Sequence, residues 1–324
     1  MAEKTGIAWC DSTFNPWIGC TKVGPGCDHC YAEVQDSRKR WGGTTHWGPG
    51  ALRHRTSASN WAQPLTWNKL AEKSGRVHRV FCASLADVFD NEVDPFWRRD
   101  LWSLIERTAN LSWLLVTKRI GNVRSMMPSQ WVSSGFPDHV RILITVCNQE
   151  EADRDIPKLL ALRCKNGISY EPALGPVDFS RISLGKSPVR VANSGDYSNQ
   201  FRETEFTVNA LKGAKSINWP GINWVIIGGE SGPKARPFSL EWARSTVAQC
   251  KSAGVPVFVK QFGRYPMPES GDLCGFRSKG HSFYRGWPLR YCDEDERISV
   301  ELKDRAGADP SEWPEDLRIR EFPV

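Results

Sequence analysis

Seven short, β-rich apolar runs recur along the chain, each ending in polar or glycine residues. They are GIAWC (6–10), RVFCAS (79–84), LSWLLVT (111–117), RILITV (141–146), GISYEP (167–172), NWVIIGG (223–229) and VPVFVK (255–260). Segments with helical spacing separate several of them. In DPFWRRDLWSLIERTAN, Asp94 and Pro95 are start signals, and Phe96, Trp97, Leu101, Leu104 and Ile105 are expected on one face. EEADRDIPKLLAL places Ile156, Leu159 and Leu160 at helical spacing, and SLEWARSTVAQCKSAG runs from a capping serine, Ser239, to a terminal Gly254. Strand, helix, strand in repetition means parallel β/α architecture. Seven strands predict an α/β fold, a complete or partial (β/α) barrel, with a doubly wound open sheet as the alternative.

Two regions break the pattern. Residues 185–222 are polar and turn-rich and read as an insertion between strands, while residues beyond about 264 lack a clear period and end in a charged tail. The expected organisation is a barrel over 1–265, with the insertion at about 185–222, and a C-terminal extension over 266–324 that packs on it.

At 324 residues the chain is long enough to bury a proper core, and its 40% apolar and 25% charged composition is that of a globular protein. It contains no run of about 18 apolar residues, so no membrane partner is expected. The N-terminal MAEKTGIAWC lacks a signal peptide's apolar core, which predicts a cytoplasmic location. Of the ten cysteines, Cys82 and Cys147 lie inside apolar runs and read as small buried hydrophobes, while the clustered ones are better suited to metal binding or chemistry than to disulfides. The net charge of +6, from 43 Lys and Arg against 37 Asp and Glu, permits an anionic partner without requiring one.

Barrel chemistry belongs at the C-terminal ends of the strands. The first run is followed by a loop in which Cys20, Cys27 and Cys30 stand in a C-x6-C-x2-C pattern. Later runs end at Ser84 and Asp87, Lys118 and Arg119, Cys147 and Asn148, Glu171, Glu230, and Lys260 and Gln261. Thiolates are the usual ligands of structural zinc and of iron–sulfur clusters. A closed zinc site needs a fourth ligand, from His29, His46, Cys10 or further off. Three thiolates on a [4Fe–4S] cluster instead leave one iron open to chelate the amino and carboxylate groups of S-adenosylmethionine.

A cysteine loop after the first strand of a β/α barrel resembles the radical SAM superfamily, whose most common spacing is C-x3-C-x2-C. The chain is similar over roughly residues 5–265 to a phage- and prophage-borne family of radical-SAM-like proteins. The segments that carry the likeness are NP-x2-GC at Asn15 to Cys20, PGCDHCYAE, RTSASNWAQPLTWN (55–68), SLADVFD (84–90), LLVTKR (114–119), EPALGPV (171–177), VIIGGESGPKARP (225–237) and GVPVFVKQFG (254–263). That resemblance implies a barrel of the radical SAM type and a [4Fe–4S] cluster on Cys20, Cys27 and Cys30. It also implies S-adenosylmethionine held at the strand ends, with Ser84, Glu171 and Glu230 as candidates. A serine-like residue is expected near position 147, where this chain has Cys147.

Lys118, Arg119 and Lys260 are candidate substrate ligands for a carboxylate or phosphate, or else partners of Glu171 and Glu230 that order the mouth. In residues 38–61, Arg38, Lys39, Arg40, Arg53 and Arg55 alternate with Trp41, Trp47 and Trp61. Such a segment suits a nucleic-acid strand, or forms an ordered loop over the cluster. The leading expectation is a radical enzyme acting on a nucleotide or DNA, served by a flavodoxin- or ferredoxin-like electron donor. Radical chemistry on an unrelated small molecule and a zinc-stabilised nucleic-acid-binding protein are the alternatives.

Overall fold

The computed structural model describes residues 5–190, 201–232, 234–268, 283–284, 287–292 and 297–323. Part of the insertion (191–200) and Cys274 lie outside the described residues. Seven parallel strands form one sheet in strictly sequential order: β1 (Ser12–Thr13), β2 (His78–Cys82), β3 (Leu111–Thr117), β4 (Val140–Thr145), β5 (Lys165–Tyr170), β6 (Val225–Gly228) and β7 (Val257–Gln261). A doubly wound sheet reverses its order at a switch point. This one does not, and it is a parallel half-barrel.

Six of the seven apolar runs become strands within a few residues of their sequence positions. GIAWC does not. The first strand is two residues long and lies just after it, with Asp11 and Phe14 donating their backbone N–H groups to Arg79 and Phe81 of β2 at 2.9 Å each. Trp9 instead plugs the half-barrel, tilted against Phe81 at 4.7 Å and edge-on to Trp224 at 6.3 Å.

Alternation along the strands divides two cores. Val80 and Cys82, Trp113 and Leu115, Ile142 and Ile144, Ile168 and Tyr170, Val225 and Ile227, and Val257 and Val259 join the helices in the larger one. Phe81, Leu114, Leu143, Ile226 and Phe258 form a smaller core with Trp9 and Trp224 on the concave face. Because side chains alternate with a period of two, Lys118, Cys147, Glu171 and Lys260 continue the concave row beyond this core.

Seven helices are described: α1 (Tyr31–Lys39), α2 (Ala58–Ser74), α3 (Pro95–Glu106), α4 (Ile120–Met126), α5 (Ser129–Ser134), α6 (Gln149–Leu160) and α7 (Leu240–Ala253). The three expected spacers are α3, α6 and α7. Their caps are side chains of Asp94, Asn148 and Ser239, which accept from the backbone N–H of Phe96, Glu151 and Glu241, and Gly254 closes α7 at φ +69°. The expected face of α3 needs correction. Phe96 is 61% exposed, whereas Trp102 and Arg98 are buried, because the guanidinium of Arg98 donates to the carbonyls of Val88 and Asp90.

Over part of the stretch expected as an insertion, Ile182–Arg190 pairs antiparallel with Phe201–Val208. Beyond β7, the strands Phe283–Tyr284, Trp287–Cys292 and Arg297–Val300 form a small antiparallel sheet. The chain then returns to cover the edge of β7. Val259 donates to Ile319 O at 2.8 Å, Glu321 donates to Val257 O at 3.0 Å, and Trp313 stacks on Phe262 at 4.5 Å. A paired edge offers no template for other chains. No helix among the described residues is long and apolar enough to cross a membrane.

Candidate functional site

The chain leaves β1 at Thr13 and enters the cysteine loop through Asn15, which is buried. Its side chain donates to Ser84 Oγ at 3.0 Å and accepts from the backbone N–H of Leu85 at 2.7 Å, so it ties the loop's root to the end of β2. Ser84, expected to touch a cofactor, also accepts at its carbonyl from Tyr31 Oη at 2.9 Å. It therefore joins β1, β2 and the start of α1.

Cys20 is fixed by residues far away in sequence. Arg119 Nη1 donates to Cys20 Sγ at 3.3 Å and to Asp87 Oδ2 at 3.2 Å, while Nη2 donates to the carbonyl of Thr21 at 2.5 Å. Asp87 in turn accepts from Thr117 Oγ1 at 2.8 Å and from the backbone N–H groups of Phe89 and Lys118 at 2.9 and 3.0 Å. Burial, reinforced by the Asp87 charge, pushes the Cys20 thiol up to about 12, against the pull of Arg119. A ligand in this state must lose a proton when metal binds.

The middle of the loop has almost no clearance. A β-carbon on Gly26 would lie 2.5 Å from Cys147 Sγ and 3.3 Å from Lys118 Cε, and one on Gly24 would lie 2.6 Å from Glu151 Oε1. Cys27 is buried, and Cys30 sits at the cap position of α1. Lys118 lies against this part of the loop. Burial alone would lower its pKa, but the thiols of Cys27, Cys147 and Cys30, with the Asp87 carboxylate, hold it above the ordinary lysine value. Its ammonium has no hydrogen bond or carboxylate partner within bonding distance among the described residues, in contrast to Lys260, which pairs with Glu171.

The far side of the loop is clamped by Arg236, a residue that sequence spacing does not single out. Arg236 Nη2 donates to Pro25 O at 2.8 Å and Nη1 to Asp28 Oδ2 at 3.1 Å, while its Nε donates to Glu230 Oε2 at 3.1 Å. His29 Nδ1 lies 3.3 Å from the same carboxylate. Burial would raise the Glu230 pKa, yet the hydrogen bonds from Arg236 outweigh it and hold the carboxyl below its ordinary value. Glu230 is thus placed at the clamp. The signal for Arg236 is the ARP that follows GGESG, which acquires meaning only when the loop folds back on residues 25–29.

The basic, tryptophan-rich segment is largely turned inward. Arg53 pairs with Asp90 at 2.8 Å and Glu92 at 3.0 Å and donates to the carbonyl of His46 at 3.0 Å. Arg55 pairs with Asp100 and lies 4.5 Å over Trp61, whose indole N–H donates to Pro16 O at 3.2 Å. Trp47 packs on the same small cluster, Ile18, Ala32 and Leu85, as Cys30 does. Residues 38–61 therefore act mainly as a brace around the cysteine loop, and only Arg38, Lys39 and Arg40 stand exposed as a basic run.

Among the described residues, no three His, Cys, Asp or Glu side chains converge tightly enough to hold a single metal ion. The donor set suits a larger anionic group. Three free thiols share a loop with two cations: Arg119 donates to Cys20, and Lys118 lies close enough to Cys27 and Cys30 to feel their charge. Hydrogen bonds to sulfur are a normal part of iron–sulfur ligation.

A family model described as "Protein of unknown function (DUF5131)" matches residues 4–307. No curated protein matches the chain. Among solved structures the chain is similar to a spore photoproduct lyase mutant with bound AdoMet and dinucleoside spore photoproduct. The TM-score is 0.40 at 10% identity, over 94% of this chain and 72% of that one. A second mutant of that lyase gives a TM-score of 0.39 at 9% identity, over 98% and 76% of the two chains. The lyase complexed with dinucleoside spore photoproduct gives 0.37 at 10% identity, over 94% and 71%.

Proposed function

We propose that this chain, which belongs to that DUF5131 family, is a radical SAM enzyme acting on a nucleotide or nucleic-acid substrate. In its narrowest form the reading is DNA-base modification or repair. The observation that carries it is a loop of three free cysteines fastened across the C-terminal ends of a parallel half-barrel, with the Arg119 guanidinium directed at Cys20. Cys20, Cys27 and Cys30 would hold a [4Fe–4S] cluster. When bound, the cluster would supply the electron that cleaves S-adenosylmethionine to methionine and a 5′-deoxyadenosyl radical.

The chain's own residues would then position and enclose. Asn15 and Ser84 hold the loop root, and Gly26 keeps the loop in contact with Cys147 and Lys118. The Lys260–Glu171 pair fixes two strand ends on the concave face, leaving the Lys118 ammonium as a point charge for a substrate carboxylate or phosphate. A base in a duplex would have to leave the stack to reach this mouth.

The test is anaerobic purification, reconstitution with iron and sulfide, and EPR of the reduced protein with and without S-adenosylmethionine. A reduced signal that changes on adding S-adenosylmethionine supports the reading. A colourless protein that retains zinc and ignores S-adenosylmethionine overturns it. For the substrate class, Lys118→Met should weaken binding of single-stranded DNA at low salt and flatten its dependence on salt concentration by about one counterion. Equal binding by both proteins would remove Lys118 from the substrate site.

A further inference from the structure

Arg119 stands at the end of β3, where a cation would ordinarily be assigned to the substrate. Its geometry opposes that. The side chain is 8% exposed, and its two terminal nitrogens reach Cys20 Sγ, Asp87 Oδ2 and the Thr21 carbonyl. Its backbone is fixed as well, because the Arg119 N–H donates to Thr117 Oγ1 at 2.8 Å, and that hydroxyl itself donates to Asp87. The guanidinium is a planar fork of donors, and here it is pinned on both sides before any ligand arrives.

We propose that Arg119 is a positioning residue for Cys20: with Asp87 behind it, it directs a charge-assisted N–H toward the thiolate that holds the cluster. The inference rests on the function proposed above. It separates the three cysteines into two environments. Cys20 faces a guanidinium already neutralised by Asp87, whereas Cys27 and Cys30 lie beside Lys118, whose ammonium has no carboxylate at bonding distance among the described residues.

Two consequences follow from the chemistry. An N–H aimed at sulfur stabilises the more negative, reduced form of a bound cluster, so Arg119 raises its reduction potential. It also holds Cys20 and the Thr21 carbonyl in place without metal, which favours retention. Loss of such a supporting partner costs about 10–100-fold in metal affinity.

Two variants separate this role from a structural one. Arg119→Met removes the N–H groups but leaves the buried Asp87 carboxylate unpaired, which by itself destabilises the fold. The double variant Arg119→Met, Asp87→Asn removes that charge too. Both are reconstituted beside the wild type. Iron retention against a chelator, the midpoint potential by EPR-monitored titration, and melting of the metal-free protein are then measured.

The expected result is a lower midpoint potential and faster iron loss in Arg119→Met. In the double variant, melting should recover while iron loss stays fast, and the potential should remain below the wild type. A wild-type potential and wild-type iron retention in a folded double variant overturn the role of Arg119 while leaving the cluster intact. A wild type that takes up no iron overturns the cluster reading itself, and the role with it.

Discussion

Where the cysteine loop begins, at Cys20, its fastening is buried and charged; where it ends, at Cys27 and Cys30, it is a tight backbone contact backed by a partly exposed clamp. The first end depends on the Arg119–Asp87 pair, with side chains 8% and 7% exposed. The second depends on Gly26 against Cys147 and on Arg236, 26% exposed, reaching Asp28, 56% exposed. Buried charge pairs are costly to break one partner at a time, while exposed ones contribute little. Errors at the two ends should therefore fail differently: through charge at Cys20, and through volume at Cys27 and Cys30.

The largest expected effect comes from Cys27→Ala, which removes one of the three proposed ligands, at the constricted end. Iron per chain after reconstitution should fall to background, and full iron retention would show that Cys27 is not a ligand. Next is Gly26→Ala, which places a methyl group 2.5 Å from Cys147 Sγ. Overpacking of this kind costs about 1–3 kcal/mol, measured by denaturant unfolding of the metal-free protein. In a Cys147→Ala background the same substitution should cost less, because the obstructing sulfur is gone. An equal cost in both backgrounds would mean that the contact is not what constrains Gly26.

Arg236→Gln should have the smallest effect, about 1 kcal/mol: the bond to Asp28 is screened, and Glu230, 11% exposed, keeps the backbone N–H of residue 236 and His29 as partners. Its pH dependence sharpens the comparison. Glu230 is held below its ordinary pKa, so the clamp contributes fully above the unfolded carboxylate value and is lost as pH falls through the lower folded one. Wild type and Arg236→Gln should therefore differ in melting temperature at neutral pH, and the gap should begin to close as pH falls below the unfolded carboxylate value of about 4.3. A constant gap at low pH would show that Glu230 protonation does not govern the clamp.

Much of the scaffold is legible because its signals are local. Short continuous apolar runs mark β2 to β7, and Asp94, Asn148 and Ser239 precede their helices as capping side chains. The first strand departs from its expected place because two residues carry no periodicity of their own, and only hydrogen bonds to β2 define them. The α3 face departs at Phe96 because the buried carbonyls of Val88 and Asp90 draw Arg98 inward. In the basic, aromatic segment composition alone allows either a nucleic-acid surface or a brace. The partners of Arg53 and Arg55, supplied by other parts of the chain, turn most of it into a brace.

The sequence by itself determined the parallel β/α plan, the three thiols in one loop and the polar residues at the strand ends, since each follows from the pattern of a single segment. Tertiary structure decided which of those strand-end cations face the mouth. Lys118 and Arg119 are adjacent, yet one continues the concave row and the other turns to Cys20, 99 residues away. Arg236 closes on the carbonyl of Pro25 across 211 residues. A charge finds its partner through space, and no local pattern in the chain records that distance.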